Sequence, residues 1–495
     1  MIKRALILAG GTQGSYVTNI RDLGPYEVKA RLKRNGWQTE IINFTPSWLN
    51  TNDTILPETI DNFFSNADEI IMAVSASVNA DFPMQLESVY KYVKDNYPSA
   101  KIILGGIRGV SIHRDAFFLK YFDALFLGRS MEMFEEWLNN KDMSRYAKIE
   151  NKPYYLNSLY NFDIERPLVC DLLEDSDFLT ESDVVGFEIG LGCKFNCSFC
   201  NYPLRNSKTL HLSSEDAIVK SLQTAYDKYG ITHFFVADDT VNEVDEKLEL
   251  VHRAVKRLTF TPNLGGYVRM DVLANRPHQI KLLKEMNFVG YLFGIETFNS
   301  EASKLIRKKH MKSTVEDTVR SLKKEIPHAW IGASMIVGLA QDDPQELLNT
   351  LKDLISKDII NSVDIGPLQI RQKEDWLITD EGFLSDMDKN PEEFGYTVDK
   401  DGNWKSSITD INEVYEFHQK EIMTYLRSKS LNQFNGFTFL NLKSFKLVGE
   451  NETSISIRNK FEKESLFKHF KQRLNREVSR YIKNKSQQIR EDYGT

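Results

Sequence analysis

The first 140 residues alternate short apolar runs with stretches of helical period. RALILAGG (4–11) reads as a buried strand ending in glycine, and YEVKARLKRNGW (26–37) as a helix stopped at Gly36. TEIINF (39–44), EIIMAVSASV (69–78), KIILGGIRG (101–109) and YFDALFLGR (121–129) supply four more strands, with helices at ESVYKYVKDNYP (87–98) and SMEMFEEWLNN (130–140). Strand and helix in alternation predict an α/β domain, a doubly wound (Rossmann-like) parallel sheet over residues 1–145. Ligands of such sheets sit beyond the carboxyl ends of the strands, where Gly10–Gly11 and Gly105–Gly106 fall. Those glycines serve either a ligand or only tight turns.

Residues 146–182 carry tyrosines and two prolines without a clear period and read as a linker. A second alternation fills 183–372. Its strands are VVGFEIGLG (184–192), THFFVADD (232–239), NLGGYVRMD (263–271), VGYLFGIE (289–296), WIGASMIVGL (330–339) and SVDIGPLQIR (362–371). Ser213–Ser214 and Gly230 bracket one intervening helix, Ser313 and Glu316 form a capping box for another, and Asp343 with Pro344 starts a third. Six such units predict a partial (β/α)6 barrel, whose chemistry lies at the carboxyl ends of its strands. From 373 to 495 the alternation stops. Trp376 and Trp404 fall in polar loop sequence, and charged helical patterns then predict a mainly helical C-terminal domain. Between Arg458 and Arg490 eleven Lys or Arg stand against three Glu, either a solvated basic face or a docking surface for an acidic partner.

Composition narrows the class. Of 495 residues 41% are hydrophobic and 27% charged, enough for a sizeable core, and the net charge of −7 speaks against a general nucleic-acid binder. No apolar run reaches the roughly 18 residues that span a bilayer. The apolar stretch Ala5–Ala9 is shorter than a signal-peptide core. Four cysteines make no disulfide framework, so the protein is expected in a reducing cytoplasm.

Three of those four cysteines lie within GLGCKFNCSFC (190–200), directly after the first strand of the second alternation. Three thiolates at C-x3-C-x2-C suit one metal centre. A zinc site would need a fourth ligand, for which His211 is eleven residues on; an iron–sulfur cluster takes thiolates and can leave one iron open to another ligand.

Cys193-Lys-Phe-Asn-Cys197-Ser-Phe199-Cys200, preceded by Gly192, resembles the signature of the radical S-adenosylmethionine (SAM) enzymes. That family carries C-x3-C-x-aromatic-C after the first strand of a partial β/α barrel. The resemblance implies a [4Fe-4S] cluster held by Cys193, Cys197 and Cys200, with SAM on the open iron. It implies reductive cleavage of SAM to a 5′-deoxyadenosyl radical, C–H activation on an unidentified substrate, and an electron donor such as flavodoxin or ferredoxin. Phe199 matches the aromatic beside the adenine. VADDT (236–240) stands where the family has its SAM-amine motif but departs from Gly-Gly-Glu; Asp238 and Asp239 are candidate ammonium contacts or helix caps. Arg269 falls where related enzymes hold the SAM carboxylate, or is structural. Glu296, in FGIET, would orient ribose or Arg269, or make a structural ion pair. Gly338, in MIVGLAQDDPQE, would meet the adenine through its backbone, or only turn the chain.

The front domain resembles that of the cobalamin-binding subgroup, through VSASV, ILGGIRG and LGRSMEMFEEWL. The usual D-x-H-x-x-G motif is absent: the first loop, GGTQGSYVTNIRDLGP, has no histidine, and His113 is the only one in the first 200 residues. Cobalamin is therefore not expected, with cobalamin-dependent methylation as the alternative. Only Cys170 remains for further thiol chemistry, too few for a second cluster or for a cysteine pair, and it reads as a small buried hydrophobe. A tRNA-modifying enzyme, disfavoured by acidic charge, and a zinc-stabilised binding protein without catalysis are the competing readings.

Overall fold

The computed structural model describes residues 1–10, 12–13, 16–17, 20–21, 23–44, 55–75, 82–107, 120–127, 131–144, 148–149, 152–156, 172–200, 210–308, 311–371, 384–431, 436–463 and 466–494. Cys170, His113 and Trp376 lie outside the described residues, as does most of the 146–182 linker. The chain forms two compact units. Residues 1–180, 373–379 and 471–495 make the first, and residues 181–372 and 380–470 the second.

The first unit is built on β1 (Lys3–Gly10), β2 (Gln38–Phe44), β3 (Glu69–Ser75), β4 (Lys101–Ile107), β5 (Ala124–Leu127), β6 (Lys148–Ile149) and β7 (Lys152–Leu156). Their order is β2-β1-β3-β4-β5-β7-β6, parallel except for the β6–β7 pair. β1, flanked by strands on both sides, is buried on both faces from Ala5 through Leu8, because helices α1 (Leu23–Arg34), α2 (Ile55–Phe64), α3 (Glu87–Asn96) and α4 (Met131–Leu138) connect parallel strands. Edge strand β2 offers unpaired backbone groups. The hydroxyl of Tyr481 donates to the Ile41 carbonyl at 2.8 Å and accepts from the Asn43 N–H at 3.2 Å. Buried Lys485 pairs with buried Glu40. Both come from the long C-terminal helix, Leu466–Tyr493, which thereby satisfies a sheet edge. Lys485 is thus one basic residue of that helix that is not on a solvated face.

The second unit holds β8 (Val184–Phe187), β9 (His233–Val236), β10 (Asn263–Val268), β11 (Phe288–Glu296), β12 (Trp330–Val337) and β13 (Ser362–Pro367). They pair in parallel and in chain order, the open barrel that the alternation predicts. Between them run α5 (Glu215–Tyr229), α6 (Asp245–Lys256), α7 (Gln279–Glu285), α8 (Lys312–Glu325) and α9 (Pro344–Ser356). Ser214 caps α5 through the Ala217 N–H, and Gly230 ends it in the left-handed conformation. Asp343 caps α9 ahead of Pro344. The expected Ser313–Glu316 box does not form: α8 begins at Lys312 after an extended Met311, which puts Ser313 inside the first turn.

Helix α10 (Gly436–Ser444) has every residue buried, which a reading of the C-terminal region as charged helices did not anticipate. It packs inside the barrel across the early parts of the strands. A Cβ on Gly290 would meet the Gly436 carbonyl at 2.5 Å, and one on Gly265 would meet Leu440 at 2.9 Å, so both glycines permit close approach. Phe437 contacts Phe235 and Tyr267 at 4.3 and 5.1 Å between centroids, and Phe439 stacks on Trp330 at 5.4 Å. Trp404, which falls in polar loop sequence, is 1% exposed, and its indole N–H bonds the Leu368 carbonyl. No helix among the described residues is long and apolar enough to cross a membrane.

Candidate active site

The cysteine loop leaves the carboxyl end of β8. Gly192, with φ of 99°, turns the chain into it, a conformation that suits glycine. The loop is fastened at several points by residues distant in sequence. Asp238 accepts from the Ile189 and Gly190 N–H groups at 2.8 and 3.0 Å. Glu243 accepts from the Lys194 N–H at 3.3 Å. Arg307 donates to the Asn196 carbonyl at 2.8 Å. The Ser198 hydroxyl bonds the Leu305 carbonyl, and the Ser198 carbonyl accepts from the Met387 N–H. Lys247, wholly buried, joins the first two anchors: it lies 2.6 Å from Asp238 and 3.0 Å from Glu243, and donates to the Thr240 carbonyl. Burial alone would lower its pKa, but the two carboxylates raise it, so the cation is held charged.

Asp238 therefore serves the loop backbone and is 3% exposed, whereas Asp239 is half-buried and close enough to Cys193 for its charge to act on that thiol. Arg269 comes from the end of β10. Its guanidinium forks onto Asp271 at 2.9 and 2.8 Å, donates to the Cys197 sulfur at 3.0 Å and stacks over Phe195 at 3.8 Å. Glu296 ends β11 with φ of 68°, a strained conformation for a non-glycine residue. Burial raises its pKa against the opposing pull of Lys308, 3.4 Å away, which also donates to the Gly294 carbonyl. Phe199 is half-buried in the loop. Gly338, with φ of 95°, lies under Trp404, and its carbonyl is taken by the Tyr396 hydroxyl. Lys247, Glu243 and Lys308 were not legible as site residues in the sequence. Two signals were available: the i, i+4 spacing of Glu243 and Lys247 across the start of α6, and the run IRKK.

Cys193 is buried, while Cys197 and Cys200 are half-buried. Among the described residues no three His, Cys, Asp or Glu side chains form a ready-made metal site; His211 sits in a short ladder opposite Leu191. The donor chemistry nevertheless fits an iron–sulfur cluster: three cysteines outside any disulfide lie on one loop, with a guanidinium against one of them. Burial pushes the Cys193 thiol up to about 12, with nearby acids and Cys200 adding to it. A cationic metal centre reverses that balance and favours the thiolate.

Residues 187–354 match the sequence profile of the radical SAM superfamily. Hopanoid C-2 methylase of Rhodopseudomonas palustris (strain TIE-1) is 25% identical over 232 residues, 44% of this chain and 42% of that protein, so the match spans less than half of that relative's length. The radical SAM methyltransferase TsrM from Kitasatospora setae, solved with cobalamin and a [4Fe-4S] cluster, aligns over 74% of this chain and 75% of its own, with a TM-score of 0.54 at 12% identity. The cobalamin-dependent SAM radical enzyme OxsB, solved with aqua-cobalamin, aligns over 100% of this chain and 84% of its own, with a TM-score of 0.55 at 13% identity. At such identities the two structures establish the fold, a Rossmann-like sheet followed by a partial barrel. The chain thus carries a radical SAM domain over residues 187–354, within a fold shared with TsrM and OxsB.

Proposed function

We propose that the enzyme holds a [4Fe-4S] cluster on Cys193, Cys197 and Cys200 and uses SAM to activate a C–H bond of its substrate. The observation that carries this reading is the three-thiol loop, fastened to the barrel by Asp238, Glu243, Arg307 and Ser198 at the carboxyl end of β8. Bound there, the reduced cluster and SAM supply one-electron cleavage of SAM to a 5′-deoxyadenosyl radical. Asp271 holds the Nε–Nη2 edge of Arg269, and the Nη1 beside Cys197 is the donor left to meet the SAM carboxylate. Asp239 offers a carboxylate to the ammonium, and Phe199 a face to the adenine. The Glu296–Lys308 pair shapes the end of β11, and α10 closes the barrel floor to water. Electron supply from a flavodoxin or ferredoxin and a cytoplasmic setting complete the reading; nucleic acid and membrane are not proposed as partners. Zinc is the competing occupant, so iron, sulfide and zinc are measured after anaerobic reconstitution. Cys193→Ala, Cys197→Ala and Cys200→Ala are each expected to lose the cluster absorbance and SAM cleavage, with Cys170→Ala retaining both. A cluster retained in a loop variant, or stoichiometric zinc in place of iron, refutes the assignment.

A second reading, cobalamin-dependent methylation, is favoured by the likeness to TsrM and OxsB through both units. No histidine precedes His113, so the loop after β1 offers no imidazole to cobalt. Purification with cobalamin supplied, followed by paramagnetic resonance of the reduced cobalt, separates the readings: stoichiometric cobalamin selects methylation, and its absence removes it.

A further inference from the structure

The inner face of the barrel changes character along its strands. The floor is filled by Phe235, Tyr267 and Trp330 against α10. One layer further on, the inward positions shrink to Gly294, Ser334 and Asp364, which are neighbours in register across β11, β12 and β13. Ser362 lies two residues before Asp364 on the same face, and its hydroxyl accepts the Trp330 indole N–H at 3.0 Å. Side chains two apart on a strand share a face, so Asp364 points inward.

Its environment is unusual. Asp364 is exposed although Val363 and Ile365 on either side are buried, and Ser334 and Gly294 beside it are partly open. Burial nevertheless raises the pKa of Asp364, and its charge acts on Glu296. A side chain both wetted and closely enclosed lines an internal cavity rather than the outer surface. Neighbouring charges are matched: Arg269 by Asp271, Glu296 by Lys308. Among the described residues Asp364 has no hydrogen-bond or ion-pair partner. An unmatched carboxylate in an enclosed site beside a second acid repels anions and gains most from a cation.

We propose that Asp364 recognises the substrate, pairing with a cationic amine while the aromatic floor bounds its apolar body. The assignment rests on the barrel being the SAM-dependent site. One carboxylate suits a single ammonium group, and a site built around an unpaired acceptor discriminates strongly against an analogue without the donor.

The test is calorimetric titration of the reconstituted full chain with phenethylammonium and with 2-phenylethanol, in wild type and Asp364→Asn, each with and without SAM. The wild type is expected to prefer the ammonium by roughly tenfold or more. Asp364→Asn, nearly identical in shape, should lose that preference while melting at the same temperature and binding SAM equally well. A wild type without preference, or a variant that keeps it, overturns the proposal. Displacement of the amine by SAM, with weaker SAM binding in the variant, gives the carboxylate to the SAM ammonium and overturns the substrate assignment. Failure to assemble a cluster refutes the radical SAM reading instead, and leaves the amine preference to be read on its own.

Discussion

Lys247 is where charge, burial and the cysteine loop meet, and its removal gives the sharpest test of how the site is built. Its side chain and those of Asp238 and Glu243 are all 0% exposed. Lys247→Met keeps the length and apolar stem but leaves two buried carboxylates without a counter-charge. Breaking a buried pair from one side costs about 3–5 kcal/mol, since the abandoned charge is still desolvated. The carboxylates also carry the N–H bonds of Ile189, Gly190 and Lys194, so the loss falls on both anchors of the loop. Urea unfolding, resolved by hydrogen exchange at β8 and β9, measures the cost, and iron content measures the loop. Adding Asp238→Asn removes one stranded charge and should recover part of the loss, with a coupling of about 1–3 kcal/mol. A Lys247→Met variant that loses under about 1 kcal/mol and reconstitutes fully would refute the reasoning, because charges so placed would then not be desolvated.

Gly338→Ala is expected to destabilise the barrel by about 2–4 kcal/mol, from a left-handed backbone plus overpacking. Its Cβ would lie 2.7 Å from the Trp404 Cη2 and 3.1 Å from Val414 Cγ2; an unchanged melting temperature would contradict this packing. Asp342, buried and bonded by the Thr297 hydroxyl, is raised by burial from 3.8 to about 6. The folded state then binds the extra proton between those values, so stability from this group is present at low pH and lost as pH rises through 6, by about 3 kcal/mol. Asp342→Asn should gain on the wild type by that amount between pH 4 and pH 6 in denaturant titrations, and a constant difference across the window would refute the shift.

The order of elements could be read from the sequence alone, because apolar periodicity and caps are local. Six barrel strands, the capped starts of α5 and α9 and the glycine turn into the cysteine loop all follow from short stretches. The candidate donor set was legible in the sequence too, since C-x3-C-x2-C concentrates three thiols in eight positions. Partners distant in sequence were beyond it. That Asp238 holds the loop backbone, that Lys308 rather than Arg269 is the near partner of Glu296, and that Trp404 is buried beside Gly338 were decided by chain crossings. Helix α10 shows the same limit: buried on all sides, it has no polar face from which its position could be read. Asp364 was silent for a related reason, because an unpaired carboxylate in a strand means nothing until register sets it inside a barrel whose floor is already filled.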